Sequence, residues 1–151
     1  MGNVIEQQRA IVAEHIRLEN SHDWTGVRDT FVQDERAHYD VVPLGTSFQG
    51  IDAVDNFYRA ISTAVPDLKI EVAAEFDVPG CSIREVVLTG THRGDYFGVP
   101  PMGNSLRVEL ACFFTCDEVS GKLLGERIYF DQAGLLKQMQ GESKTPVQAT
   151  M

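Results

Sequence analysis

The chain has 151 residues, 43% of them hydrophobic, and a formal net charge of −9 from 22 acidic and 13 basic residues. That length and composition fit one globular domain with a sizeable core. The acidic balance argues against nucleic acid and anionic membranes as partners, since both are met by clustered Lys and Arg.

Asn3 followed by Glu6 forms a capping-box pattern, and Val4, Ile5, Ile11, Val12 and Ile16 recur on one side of a helix running to about Glu19. His15 lies beside that stripe and reads as a boundary residue. After the caps in Asn20-Ser21-His22-Asp23, the spacing of Trp24, Val27 and Phe31 predicts a second, shorter helix. Trp24, the only tryptophan, is a candidate for core packing or for a pocket wall. Arg36 to Val42 reads as a strand that Pro43 ends, with a short return over Leu44 to Gln49. His38 and Asp40 share one face of it and Tyr39 takes the other. Gly50 opens a third helix on Val54, Phe57, Tyr58, Ile61 and Val65, and Pro66 stops it. Tyr58 is then a core residue or projects into a cavity.

Four long strands follow. Leu68, Ile70, Val72, Ala74, Phe76 and Val78 alternate with polar residues, which predicts a strand wet on one face. Pro79-Gly80 turns into a strand over Ile83 to Arg93. Leu106, Val108, Leu110, Cys112 and Phe114 share one face of the next, and Lys122 to Phe130 forms the last. A short closing helix is expected over Gln132 to Gln138. The domain is taken as residues 1–141, with a polar tail over 142–151. Helices first and strands after predict an α+β fold: a strongly curved antiparallel sheet, cone-shaped, with three N-terminal helices closing one face. Such a cone can hold a ligand.

Cys81, Cys112 and Cys116 are odd in number and lack the spacing of a small secreted domain, so reduced thiols and a cytoplasmic location are expected. Cys112 and Cys116, four apart on one strand, would lie ~13 Å apart. That is too far to share a metal ion, and no metal is expected. No signal-peptide pattern and no membrane-length apolar run is present.

Several segments together resemble the SnoaL-like polyketide cyclase, or ester cyclase, branch of the nuclear-transport-factor-2-like superfamily, a cystatin-like α+β barrel. They are Phe48-Gln49-Gly50, Phe57-Tyr58-Arg59, Pro66-Asp67-Leu68, Gly90-Thr91-His92-Arg93-Gly94, Gly98-Val99-Pro100-Pro101, Gly121-Lys122-Leu123 and Arg127-Ile128-Tyr129-Phe130-Asp131 with Leu135-Leu136-Lys137-Gln138. The resemblance covers about Gly50 to Gly141, and the first two helices by type alone. Met102-Gly103 stands where members often carry Thr-Gly after the two prolines, which implies a more apolar pocket mouth. The resemblance implies a homodimer, no cofactor, no metal, and an apolar pocket for a small apolar molecule. It places Asp131 at the position of a general acid/base and His92 in the cavity.

From the residues themselves, an Asp in an apolar cone has its pKa raised toward the range of a useful base. With a neutral donor beside it, an Asp base enolises a carbonyl compound, as in ketosteroid isomerase. Asp131 as base and His92 as donor or proton shuttle are the candidate catalytic pair. Trp24, His38, Tyr58, Phe114 and Tyr129 are the candidate pocket residues. The expected activity is cofactor-independent proton transfer leading to aldol cyclisation, isomerisation or dehydration. Against it stand Asp131 as a plain N-cap and a His92 that bonds only the following loop. Arg127 shares a strand face with Asp131 and would keep it ionised, whereas Glu126 falls on the opposite face and reads as solvated. A non-catalytic ligand-binding or dimerisation module is the alternative. Epoxide-hydrolase-like water addition is a weaker one, because it needs an Asp/Arg/Asp-like cluster that spacing does not assemble. Val87, Thr89, Thr91, Ala111 and Phe113 give a sheet face too apolar for water, suited to a second copy of the chain.

Overall fold

A computed structural model describes residues 3–141. The elements run α1 (Val4–Asn20), α2 (Trp24–Asp29), β1 (His38–Val41), β2 (Thr46–Gln49), α3 (Ile51–Ala64), β3 (Lys69–Val78), β4 (Cys81–Thr91), β5 (Ser105–Cys116), β6 (Leu123–Tyr129) and α4 (Gln132–Met139). A single 3₁₀ turn, Val42–Leu44, carries Pro43 and links β1 to β2. The fold is α+β, with one six-stranded sheet in the order β2-β1-β6-β5-β4-β3. Neighbours run antiparallel except β1 and β6, which are parallel.

Local chemistry sets the helix ends. The Asn3 side chain accepts from the Ile5 N–H at 2.9 Å and caps α1. Asp23 and Asp131 do the same for α2 and α4 through Gly26 and Gly134. The buried face of α1 is Gln8, Val12, His15, Ile16, Leu18 and Glu19. Three of these six are polar, and two of them belong to the site described below. The backbone N–H groups of Arg93 and Gly94 both donate to the Ala64 carbonyl, so the segment after β4 closes the C-terminal end of α3. A Cβ on Gly94 would run into the Thr63 carbonyl, which restricts the position to glycine.

One register shift changes the outer surface. Between Val72 and Ala74 of β3 the ladder slips past Ala73, which makes a bulge. The alternation therefore does not run unbroken along β3. Glu75 and Asp77 reach Arg9 of α1 and Arg84 of β4 in salt bridges. Phe76 and Val78 go to the outer face, 54% and 56% exposed. The core fills the inner side of the sheet in two clusters that share Trp24, Ile61, Ile70, Leu110 and Phe130. Among the described residues no helix is long and apolar enough to cross a membrane, and no group of three His, Cys, Asp or Glu could hold a metal ion.

Candidate active site

The concave side of the sheet, closed by α1, α3 and α4, holds a cavity of about 100 Å³. Its wall is almost wholly aliphatic and aromatic, and among the described residues no Lys or Arg lines it. Glu19, Tyr39, Tyr58, Cys112 and Glu126 interrupt the wall at one end, and Tyr96 and Phe97 stand elsewhere on it.

Periodicity brings the polar end together. His15 and Glu19 lie one turn apart on the buried face of α1. Glu126 projects inward from β6 beside Ile128, Tyr39 from β1, and Tyr58 from α3. The Tyr39 hydroxyl donates to Glu126 Oε2 at 3.2 Å, and the Tyr58 hydroxyl donates to Glu126 Oε1 at 3.3 Å. His15 Nε2 lies 3.0 Å from Glu19 Oε1 and 3.4 Å from Glu126 Oε1. The other ring nitrogen, Nδ1, is 2.9 Å from the Thr30 hydroxyl, whose only proton is committed to the Val27 carbonyl at 2.6 Å. Thr30 must therefore accept, which assigns a proton to Nδ1.

These groups are held away from water. His15 is fully buried, and Glu19 and Glu126 are 8% and 4% exposed. Burial works against the His15 imidazolium, but the charges and hydrogen bonds of Glu19 and Glu126 outweigh it and lift its pKa from 6.5 to about 10. Burial also raises Glu19, and the imidazolium offsets this in part. Burial, with the nearby carboxylates, holds the Tyr39 and Tyr58 hydroxyls and the Cys112 thiol well above their usual values. The shifts favour an imidazolium held between the two carboxyl groups, with two neutral phenols and a neutral thiol beside them. Ionisable groups and neutral hydrogen-bond donors thus stand within a few ångströms of one another, with Glu19, Glu126, Tyr39 and Tyr58 on the wall of an apolar cavity.

The family model of the SnoaL-like polyketide cyclases matches residues 9–139. The chain belongs to that family. The cavity-lining residues, from Ile16 to Met139, fall within the matched span. Among solved structures, a SnoaL-like protein from Jannaschia sp. CCS1 aligns over 95% of this chain and 98% of its own, with 19% identity and a TM-score of 0.79. AclR from Streptomyces galilaeus aligns over 94% and 86%, with 20% identity and a TM-score of 0.76. The epoxide hydrolase/cyclase-like enzyme SalBIII of salinomycin pyran formation aligns over 85% and 93%, with 18% identity and a TM-score of 0.71. These likenesses concern the fold. No match is found among curated proteins.

Within this SnoaL-like fold, the residues expected from the sequence are dispersed. Tyr58 and Phe114 line the cavity. Trp24 is half-buried behind it, stacked between His22 and Tyr58 with ring centroids at 6.2 and 5.9 Å. His38 is paired with Gly125, its ring occupying the space where a Cβ would project there, and its Nδ1 lies 3.1 Å from the Arg36 carbonyl. Tyr129 is 42% exposed and meets Phe113 edge-on. Asp131 is exposed, outside the cavity wall, and its Oδ1 accepts from the Gly134 N–H at 3.0 Å. His92 is fully buried and does not line the cavity, and neither ring nitrogen has a partner among the described residues. Asp131 and His92 are therefore not brought into one cavity.

The parity of β6 explains the difference. Glu126, Ile128 and Phe130 reach the cavity, so Arg127, Tyr129 and Asp131 face away. Glu126 is correspondingly buried, not solvated as its strand position suggested, and the Arg127 guanidinium lies 4.8 Å over the Phe113 ring on the outer face. His15 and Glu19 were missed as a pair, although both sit at helical spacing from Val12 and Ile16.

Proposed function

We propose that the chain is a cofactor-independent enzyme that transfers protons to and from a small apolar carbonyl compound, with Glu19, Glu126 and His15 as the acid/base groups. The observation that carries this reading is the pair of buried carboxylates, Glu19 and Glu126, on the wall of an apolar cavity, joined by the buried His15 imidazole outside that wall. Replacing such a buried ionic group with well-packed apolar residues is often neutral or stabilising, so stability alone gives little reason to keep one. A carboxylate there removes a proton beside the carbonyl. The protonated carboxyl, or the Tyr39 or Tyr58 hydroxyl, stabilises the developing enolate oxygen. An aldol closure, an isomerisation and a dehydration all share that step.

The test is hydrogen–deuterium exchange at the carbon next to the carbonyl, followed by NMR across a panel of cyclic and linear ketones in D₂O. Protein-dependent exchange is expected, and Glu126→Gln should slow it at least about 100-fold. Absence of exchange across the panel would favour a non-catalytic binding module.

A second reading has its own observation. His15 stands between two carboxylates, the carboxylate–cation–carboxylate order that water addition to an epoxide requires. One carboxyl would protonate the epoxide oxygen while the other activates water or an internal hydroxyl. SalBIII, described as epoxide hydrolase/cyclase-like, shares the fold. Epoxide substrates in the same assay, with products read by mass, separate water addition from internal closure.

A further inference from the structure

The two carboxylates of the site are held differently. Glu126 meets the Tyr39 hydroxyl, the Tyr58 hydroxyl and His15 Nε2. Among the described residues Glu19 meets only His15 Nε2, through Oε1. Among the described residues its other oxygen, Oε2, has no hydrogen-bond partner and is not fully buried. Glu19 lines the cavity, and its side chain keeps 11% exposure against 5% for Glu126.

Charge counting then limits what can enter. Glu19 faces His15 on its own helix, Glu126 from β6, Tyr39 from β1, Tyr58 from α3 and Cys112 from β5. His15 is the one cation in that set, and Glu126 with its three donors is the better-held anion. A second negative charge on Glu19 would stand uncompensated in an apolar wall, and a proton on its carboxyl removes that charge. A protonated carboxyl offers one O–H donor to the cavity.

We infer that the cavity selects uncharged ligands carrying an acceptor oxygen, such as a ketone, ester or epoxide, and that the protonated Glu19 carboxyl is the group that holds this oxygen. The inference rests on the cavity being the ligand site, and it does not depend on turnover. A ligand carboxylate or phosphate meets no Lys or Arg among the described residues of the wall and is repelled by Glu126.

NMR titration of the full chain tests it with three probes of similar size: cyclopentanone, cyclopentene oxide and cyclopentanecarboxylate. The ketone and the epoxide should bind, and the carboxylate should bind at least about 100-fold more weakly, the scale of a like-charge contact of several kcal/mol. Ketone affinity should fall about tenfold or more as rising pH removes the Glu19 proton, at a pH above that of an ordinary carboxyl. Glu19→Gln keeps an N–H donor in place of the O–H, so its ketone affinity should stay level with pH. Carboxylate binding as tight as the ketone's, or a pH-independent affinity in the unmutated chain, overturns the inference. So does a Glu19→Gln variant that keeps the wild-type pH dependence. The charge and pH series on the unmutated chain stand even if the variant fails to fold. The expected binding pattern without any exchange would remove the enzyme reading and leave this one. Exchange with the reverse charge preference would do the opposite, and no binding by any probe would remove both.

Discussion

His15 is the residue on which the buried cluster depends. It is the cation between Glu19 and Glu126, and Thr30 fixes its orientation from the far side. Its folded pKa, about 10, lies above its ordinary value of 6.5. The stabilisation it supplies is therefore fully present below pH 6.5 and is lost as the pH rises through about 10. Chemical denaturation at stepped pH should show a fall on the order of a few kcal/mol over that window. His15→Phe should be less stable at neutral pH and lack the step, while a wild-type curve flat to alkaline pH would contradict the charged cluster. Tyr58→Phe keeps the ring packing and removes one donor to Glu126. It should cost about 1 kcal/mol in denaturation midpoint and slow proton exchange more than that loss of stability explains. The sequence held a cue to His15 and Glu19, since both recur with Val12 and Ile16. A polar residue at the margin of an apolar stripe is usually a boundary residue, however, and only the approach of β6 makes these two a site.

The strands and helices were largely legible because their cues are local. Pro66 and Gly50 bracket α3, Pro79-Gly80 makes the β3–β4 turn, and the face of β5 that carries Leu106, Cys112 and Phe114 is the buried one. What failed was parity. On β6 both alternations carry apolar residues, because the strand lies inside the sheet between β1 and β5 and its outer face holds Tyr129 against Phe113. Hydrophobic alternation alone could not say whether Glu126 or Asp131 faces inward. The bulge at Ala73 has no local signal either, and it reverses β3 beyond that point. These elements yield two predictions. Asp131→Ala should lose about 1 kcal/mol through the missing cap of α4, with proton exchange unaffected, whereas lost exchange at retained stability would return Asp131 to the chemistry. Gly94→Ala should cost about 2 kcal/mol, since its methyl group must displace the end of α3. A denaturation midpoint within error of wild type would show that the loop yields instead.

For the whole molecule, the outer face of the sheet carries large apolar side chains that no element among the described residues covers. Cross-strand pairing lines up Phe76 with Ile83, Ile83 with Phe113, and Phe113 with Arg127. Val78, Val87 and Tyr129 widen the strip, and Phe76, Val78 and Tyr129 are the exposed large side chains on it. We propose that a second copy of the chain packs sheet to sheet against this face about a two-fold axis. The bulge strengthens the argument, because it adds Phe76 and Val78 to a surface that unbroken alternation would have kept polar there. Each copy carries a charge of −9, so association brings like charges together and must be driven by apolar area. Added salt screens that repulsion and should tighten the dimer. Sedimentation equilibrium at micromolar concentration should therefore give twice the chain mass, with a dissociation constant that falls as salt rises. Phe76→Lys, on an exposed position, should yield a folded monomer with the cavity unchanged. A monomer mass in the unmutated chain at every salt concentration would contradict the proposal, and a dimer weakened by salt would point to an interface built on ion pairs instead of this face.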